Sequence, residues 1–508
     1  MIKSEQFYSK KGLAWGLIGL LGLCGLMKAS GGAGFLAIFF VLFAGFGKNR
    51  SPLLLFSLVA TATLTMTNPF IAPKGWVFTV AARLVYLIAA GVLILQVVGR
   101  RAPKQLTPLL GLIPYLVYQA LVSSVGFQPI ISYLKLALFF LVFLAFYGAA
   151  GVTCGRTADF ERAVRTILLI FACYFIFGSI ALIPFPGIGR MGAAAAVAQG
   201  LEVSTVGLFM GVTLQPQALG PVVGVIATLL LADLLFVIRR WEPLYVLLLI
   251  ASPVLVYYTS SRTAMGTWLA GMSFTSFVFM CANGVGAKWK GRALGALFML
   301  GMLGGMMLFI TPGVRDKAMS FILKTGEEKV NVEEFSFERF TSSRQGLMDS
   351  SMSNFAESPA IGNGFQVAKR MEDMEVRSWK QLMSAPIEKG VWITAVLEEG
   401  GIFGFIIFTL FLITVFPLLL SRHAYMGACA LFVFVVANLG EFSFFSMSGV
   451  GGLIWAFVFL GLALDVQCIA KSARLRAFGY RVAFDPRLGF PQQSAPYPAQ
   501  PLASRRFP

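Results

Sequence analysis

The chain has 508 residues, of which 57% are hydrophobic and only 13% are charged, and its formal net charge is +18. This balance excludes an ordinary soluble globular protein, in which about a quarter of the residues are charged, and it indicates an all-α protein with many membrane spans. The single histidine, His423, excludes a metal site built from several histidines, and the six cysteines lack the spacing of metal ligands. We therefore expect no metal.

Long apolar runs predict about 12 to 14 transmembrane helices. The first run, Gly12–Met27, follows a polar, basic start and ends without a small-residue cleavage site, so it is predicted to be a helix rather than a removed signal. The predicted spans are 12–27, 34–46, 52–66, 76–98, 106–124, 132–152, 163–185, 218–237, 243–259, 264–284, 292–312, 396–420, 424–440 and 447–467.

Lysine and arginine accumulate in every second loop, which is the pattern of cytoplasmic loops. Short loops of the other parity are poor in charge: 67–75 has only Lys74, and 125–131 has none. The alternation predicts a multi-pass protein with both termini in the cytoplasm, and for a bacterial inner membrane the opposite face is the periplasm. It places four segments on the periplasmic face: 186–217, 260–262, 313–390 and 440–446.

The segment 313–390 interrupts the membrane-like composition and holds 12 of the 23 acidic residues. It predicts a periplasmic loop between an N-terminal bundle (1–312) and C-terminal transmembrane helices (391–467), followed by a cytoplasmic, disordered tail (468–508). Within the loop, Ser343–Glu357 is predicted to form an amphipathic helix that begins at a cap from Thr341, Ser342 or Ser343. Charges gathered in one long loop indicate chemistry on a polar substrate.

Arginines on the predicted outer face are candidate anion ligands. Arg262 follows Ser261 at the outer ends of two apolar runs, and Arg339 and Arg344 flank the start of the loop helix. A guanidinium group suits a diphosphate because it donates two hydrogen bonds at once and stays charged. The alternative roles are an interfacial side chain for Arg262 and solvated charges for the loop arginines.

Acidic and amide side chains supply the other candidates. Glu388 is a candidate base for deprotonating a sugar hydroxyl, with Lys389 beside it and Glu399 further along the next helix. Interfacial salt pairing is the alternative for these residues. The remaining candidates for the same cavity are Gln215 and Gln217, in a Gly- and Pro-containing stretch at membrane depth, and Glu441, which could also simply face water.

Four ordered motifs resemble the O-antigen ligase and O-antigen polymerase-like family, membrane glycosyltransferases with a GT-C-type helical bundle. They are GVTLQPQALG (211–220), Ser261-Arg262, the SPAIGNGF run (358–365) after Arg344, and LEEGGIFG (397–404). The resemblance covers roughly residues 200–465. No nucleotide-binding motif is present.

The resemblance implies transfer of a glycan from a polyprenyl diphosphate carrier, with Arg262 and Arg344 on the diphosphate and no nucleotide, cofactor or nucleic acid. The implied partners are this lipid-linked glycan, membrane lipids and a chain-length regulator. Ligases of the family carry a histidine about nine residues before the position of Glu399, where this chain has Lys389–Gly390. We therefore expect a polymerase of O-antigen or exopolysaccharide. A ligase acting on lipid A-core or protein, and a flippase or exporter without catalysis, are the alternatives.

Overall fold

A computed structural model of the chain describes most of the predicted spans and part of the long loop. The described residues are 8–46, 51–72, 76–97, 103–152, 158–192, 206–238, 241–259, 261–283, 337–367, 390–440, 443–446, 449–477, 483–484 and 491–492.

Helices dominate these residues, and we number them in chain order. The N-terminal half contains α1 (Lys10–Ala29), α2 (Gly31–Gly45), α3 (Pro52–Met66), α4 (Trp76–Val97), a 3-10 turn (Thr107–Leu112) leading into α5 (Ile113–Val125), α6 (Pro129–Val152), α7 (Ala158–Ala181) and the single turn α8 (Pro186–Gly189). Proline opens α3, α6 and α8, where its missing N–H costs the helix no hydrogen bond.

The C-terminal half continues the same pattern. It contains α9 (Pro216–Ala232) with a π-helical end (Asp233–Ile238), α10 (Pro243–Tyr258), α11 (Arg262–Asn283), α12 (Phe337–Glu357), α13 (Trp392–Ser421), α14 (Tyr425–Ala437) and α15 (Val450–Ala477). Two short strands, β1 (Ala483–Phe484) and β2 (Pro491–Gln492), pair in antiparallel fashion.

The predicted multi-pass, all-α architecture is confirmed. Eight described helices are long and apolar enough to cross a membrane, and five shorter apolar helices accompany them. Each of these thirteen falls on a predicted span, whereas the predicted span 292–312 lies outside the described residues.

Two helices form the centre of the bundle, and others present apolar surface outward. In Pro216–Ile238 and Val450–Gln467, 89% and 94% of the residues are buried. By contrast, Trp15, Phe40 and Tyr257 are more than 70% exposed. Large exposed apolar side chains on the outside of a helical bundle are typical of a protein that faces lipid.

Two groups of hydrogen bonds mark the two ends of the bundle. At one end, which we call the motif end, Asn68 donates to the carbonyl oxygens of Ile188 and Gly211, at 2.8 and 3.0 Å. The helices α3, α5, α7, α10 and α14 finish there, and α4, α6, α9, α11, α13 and α15 begin there. At the opposite end, the main-chain N–H of Gly427 donates to Asp465 at 2.8 Å.

Two predicted boundaries are wrong. The loop helix begins at Phe337 rather than at a cap near Ser343, so the candidate cap residues lie inside α12. The last helix continues to Ala477, past the predicted start of the tail at 468, and both β1 and β2 fall within the stretch predicted to be disordered. Ala, Lys and Arg in 470–477 have high helix propensity, so the helix extends beyond its apolar section.

Candidate functional site

The long helix α13 is interrupted at Gly401, at the motif end. Gly401 has φ 62° and ψ −165°, a conformation that is essentially restricted to glycine. The interruption removes the usual helical partners of the carbonyl groups of Glu398 and Glu399 and of the N–H groups of Ile402 and Phe403. Buried backbone groups need other partners.

The segment 358–364 supplies those partners. The N–H groups of Ile402 and Phe403 donate to the carbonyl oxygens of Pro359 and Ala360, at 2.9 and 3.3 Å. The N–H groups of Asn363 and Gly364 donate in turn to the carbonyl oxygens of Glu398 and Glu399, at 2.9 and 3.1 Å. Two of the four sequence motifs, SPAIGNGF and LEEGGIFG, therefore complete each other's backbone hydrogen bonding.

This pairing requires glycine in the loop as well as in the helix. Gly362 has φ +81°, and a Cβ at this position would lie 2.5 Å from the carbonyl oxygen of Glu399. A side chain at Gly362 would push the loop away from α13. The Ser358 hydroxyl donates to the Gly362 carbonyl oxygen at 3.0 Å, which closes the turn.

The other side of the same loop docks on α5 and α6. The Ser132 hydroxyl donates to the Phe365 carbonyl oxygen at 3.0 Å, and the Lys135 ammonium group donates to the Gln366 carbonyl oxygen at 2.9 Å. Lys135 is only 4% exposed, and Gln366 adopts a left-handed φ of 52°. The Phe365 ring is fully buried and lies 5.4 Å from the ring of Phe445. The motif loop is thus embedded in the bundle.

Buried polar side chains join α12 to this arrangement. The Asn354 amide nitrogen donates to Oε1 of Glu398 at 2.9 Å, and the Asn363 amide nitrogen donates to the Asn354 carbonyl oxygen at 2.9 Å. On the far side of α13, the Tyr118 hydroxyl donates to the Gly400 carbonyl oxygen at 2.8 Å. Hydrogen bonds between buried polar groups are electrostatically stronger than those at the surface, so these contacts hold α5, α12, the loop and α13 together.

The Ser261-Arg262 motif opens α11 at the motif end. The Ser261 hydroxyl accepts a hydrogen bond from the N–H of Ala264 at 3.3 Å, as an N-cap does. Arg262 is the first helical residue and is partly exposed. Ala264 packs directly against Gly220 of α9, so the first motif, GVTLQPQALG, adjoins Ser261-Arg262.

A series of contacts leads from Arg262 to the start of α13. Thr263 packs against Gly440 so closely that a Cβ on this glycine would overlap its side chain. Two residues earlier, the carbonyl oxygen of Asn438 accepts a hydrogen bond from the N–H of Trp392 at 3.0 Å. Next to Trp392, Gly390 lies against Leu347 of α12, one helical turn after Arg344. All four motifs therefore meet at the motif end.

Several predicted site residues share this end of the bundle. Gln215 occupies the position just before α9, where its carbonyl oxygen accepts from the Thr213 hydroxyl at 2.9 Å, and Gln217 lies in the first turn. Both are partly exposed. Glu399 is fully buried at the interruption of α13. Arg339 and Arg344 lie in α12.

The three other predicted residues, Glu388, Lys389 and Glu441, lie outside the described residues. Asn354, Asn363, Tyr118 and Lys135 are not among the site residues predicted from the sequence. Lys135 and Asn354 carried a recognisable signal, because each is a polar side chain on the apolar side of a predicted helix. The contacts of Asn363 and Tyr118 depend on the fold.

Within the part of the chain that the structure describes, no group of three or more His, Cys, Asp or Glu side chains is placed to hold a metal ion. The polar groups near the motif end that were predicted as site residues are Ser261, Arg262, Gln215, Gln217 and Glu399. Such a set can hold an anionic headgroup and sugar hydroxyls at the edge of an apolar bundle. No model of a known protein family matches this chain, and no curated protein matches it.

Proposed function

We propose that this chain is a membrane glycosyltransferase that joins polyprenyl-diphosphate-linked oligosaccharide repeat units into O-antigen or exopolysaccharide. The observation that carries the proposal is the meeting of four motifs, separate in sequence, at one end of the helical bundle. Two of them share a complementary set of four backbone hydrogen bonds around Gly401. The proposal includes a GT-C-type arrangement of the helices.

Each predicted site residue has a role in the transfer reaction. Arg262 and Arg344 bind the diphosphate and stabilise the negative charge that develops as it leaves. Glu388 accepts the proton from the attacking sugar hydroxyl. The hydroxyl oxygen bonds to the anomeric carbon of the donor, and the bond from that carbon to the diphosphate oxygen breaks. Ser261, Arg339, Lys389, Gln215, Gln217, Glu399 and Glu441 complete the substrate site.

The position of the single histidine favours a polymerase over a ligase. The family's ligases carry a histidine near the LEEGGIFG motif, at the motif end. His423 lies instead in the turn between α13 and α14 at the opposite end, where Nδ1 lies 2.8 Å from the Tyr425 hydroxyl. A histidine at that end is separated from the proposed site by the length of a membrane-spanning helix, about 30 Å.

The proposal also places the chain in the bacterial inner membrane, with the motif end in the periplasm and both termini in the cytoplasm. The excess of Lys and Arg in alternate loops supports this orientation. Single cysteines at Gln345 and His423, in a background that lacks the six native cysteines, test it. A membrane-impermeant maleimide should label position 345 and spare position 423 in cells with a permeabilised outer membrane, and the reverse pattern would overturn the orientation.

Chain elongation by purified protein tests the function. The protein is reconstituted in vesicles and given a synthetic polyprenyl-diphosphate repeat unit, and the products are sized by gel electrophoresis and mass spectrometry. We expect a ladder of lengthened glycans on the lipid carrier. Transfer that occurs only when lipid A-core is added would favour the ligase. Transbilayer movement of the lipid with no new glycosidic bond would favour the flippase.

A further inference from the structure

The contact between Asn354 and Glu398 is unusual for a membrane bundle. The two side chains are 4% and 2% exposed, and the Asn354 amide nitrogen lies 2.9 Å from Oε1 of Glu398. Burying a carboxylate costs free energy that specific hydrogen bonds must offset. A pair of this kind, on two different helices, fixes those helices in one relative position.

The pair belongs to a closed set of contacts among three segments. The Asn363 side chain donates to the main-chain oxygen of Asn354 in α12, and the Asn363 main chain donates to the main-chain oxygen of Glu398 in α13, both at 2.9 Å. Three residues, one from each segment, therefore hold each other through three hydrogen bonds. The positions of α12, the motif loop and α13 are determined together.

Because of the orientation of α12, a tilt of this helix at Asn354 displaces the main chain at Arg344. Leu347 lies beside Gly390, and Asn354 lies beside Glu398, so α12 runs parallel to the first turns of α13. Arg344 lies ten residues before Asn354 in the same helix, which corresponds to about 15 Å along its axis. Over that length, a tilt of about 4° at Asn354 displaces the main chain at Arg344 by about 1 Å, a displacement that can cost on the order of 100-fold in rate.

We propose that Asn354 and Glu398 are positioning residues that set the placement of Arg344 relative to Arg262. The inference rests on the proposed function, because it concerns the site formed by these two arginines. Neither Asn354 nor Glu398 contacts the substrate in this proposal. Their hydrogen bond holds α12 against α13. Helix α13 contacts α11 in turn through Trp392 with Asn438 and through Gly440 with Thr263.

Four variants separate positioning from carboxylate chemistry. Glu398→Gln keeps an oxygen that can accept from Asn354, so elongation should stay within about 5-fold of wild type. Glu398→Ala removes the acceptor, and Asn354→Asp sets two carboxylates against each other. Each should lower kcat by about 10- to 100-fold, with a smaller change in KM. The double variant Asn354→Asp/Glu398→Gln exchanges donor and acceptor and should recover most of the lost kcat.

A loss in Glu398→Gln as large as that in Glu398→Ala would overturn the inference, because it would show that the negative charge itself is needed. Failure of the double variant to recover activity, when both single variants accumulate normally, would also overturn it. If Asn354→Asp does not accumulate in the membrane, the comparison of the two Glu398 variants decides the question alone.

A second readout does not depend on activity. Spin labels at Gln345 of α12 and at Met265 of α11, both exposed, report the distance between the helices that carry the two arginines. We expect a narrow distribution in wild type, a broader one in Glu398→Ala and a narrow one again in the double variant. An unchanged distribution in Glu398→Ala would contradict positioning. If the distance distributions change as expected but the wild-type protein elongates no glycan, only the proposed function is refuted and the positioning role stands.

Discussion

The main-chain N–H of Asn363 donates to the carbonyl oxygen of Glu398 at 2.9 Å, across a separation of 35 positions in the sequence. The bond exists because the interruption at Gly401 leaves the Glu398 carbonyl without its helical donor. A turn of the preceding loop thereby occupies the place of a missing helical turn. The same relationship brings a polar loop to the depth of the membrane bundle without leaving its backbone unsatisfied.

Replacing Gly401 with alanine should dislodge the motif loop. The conformation of Gly401 disfavours any side chain, and a Cβ there would overlap the carbonyl group of Ala360. We expect a loss of about 1–3 kcal/mol of stability, seen as a lower unfolding temperature in detergent, together with loss of elongation. Gly266→Ala is the matched control, because the added methyl group would lie more than 4 Å from every atom except its chain neighbours and the backbone of its own helix. Equal behaviour of the two variants would contradict this account.

Replacing Arg262 tests the anion site directly. Arg262→Ala should lower kcat/KM for the lipid-linked repeat by about 100- to 1000-fold, because a donor to the developing charge is lost. Arg262→Lys should recover only part of this loss, since an ammonium group lacks the planar pair of donors. Arg190, exposed at the same end of the bundle, gives the control variant Arg190→Ala. A normal rate in Arg262→Ala would remove this residue from the site.

Replacing Glu388 tests the proposed base. Glu388→Ala should abolish elongation while the protein continues to bind the lipid-linked repeat, because the diphosphate contacts remain; typical general-base contributions are about 100- to 10,000-fold. Product formation and binding of a fluorescent lipid analogue are measured on the same preparation. Glu357→Ala, at the exposed end of α12, serves as the control. Full activity of Glu388→Ala would show that another group takes the proton.

Replacing Lys135 with methionine should loosen the docking of the loop on α6. The variant keeps the length of the side chain but removes the charged donor to the Gln366 carbonyl oxygen. The loss of a hydrogen bond from a charged group corresponds to about 1.5–3 kcal/mol, so the unfolding temperature should fall measurably. Lys28→Met alters an exposed lysine at the end of α1 and should leave that temperature unchanged. Identical unfolding of both variants would count against the role of Lys135.

Replacing Asp233 should destabilise the bundle at the end opposite the motifs. Arg165 donates to both oxygens of Asp233, at 2.7 and 3.1 Å, and the Tyr245 hydroxyl donates to it at 2.7 Å; all three residues are fully buried. Asp233→Ala leaves a buried guanidinium group without this partner and should cost about 3–5 kcal/mol. The yield of monodisperse protein should fall sharply, while the KM of the folded fraction stays normal. An effect on KM alone would contradict a structural role.

The exposed pair Asp159–Arg162 supplies the comparison for Asp233. Nη1 of Arg162 lies 3.7 Å from Oδ1 of Asp159, and the Asp159 side chain is 82% exposed. Surface ion pairs contribute less than about 1 kcal/mol, so Asp159→Ala should have little effect on yield.

The apolar spans were predictable because membrane insertion depends on local composition. Runs of about 20 apolar residues satisfy their own backbone hydrogen bonds as helices. Thirteen predicted spans within the described residues coincide with apolar helices, and eight of these helices are long enough to cross a membrane. Boundaries were less predictable. The loop helix reaches back to Phe337 because helices do not require the caps that the sequence offers, and α15 extends to Ala477 because helix propensity continues beyond the apolar run.

The candidate site was predictable in part. The resemblance to a known family marked Arg262, Glu399 and the SPAIGNGF run as parts of one region, and all three lie at the motif end. The contact of Asn354 with Glu398 was not predictable, because it depends on the parallel course of α12 and α13. The contact of Lys135 with Gln366 depends in the same way on the depth at which the loop is embedded.

By itself, the sequence determined that this chain forms a multi-pass helical bundle and where its spans lie, because hydrophobicity and helix formation act over a few consecutive residues. Only the tertiary structure decided that α13 breaks at Gly401 and that 358–364 replaces its missing hydrogen bonds. It likewise decided that Asn354 and Glu398 form a buried pair. These features depend on contacts between residues that are distant in sequence, and local composition does not specify such contacts.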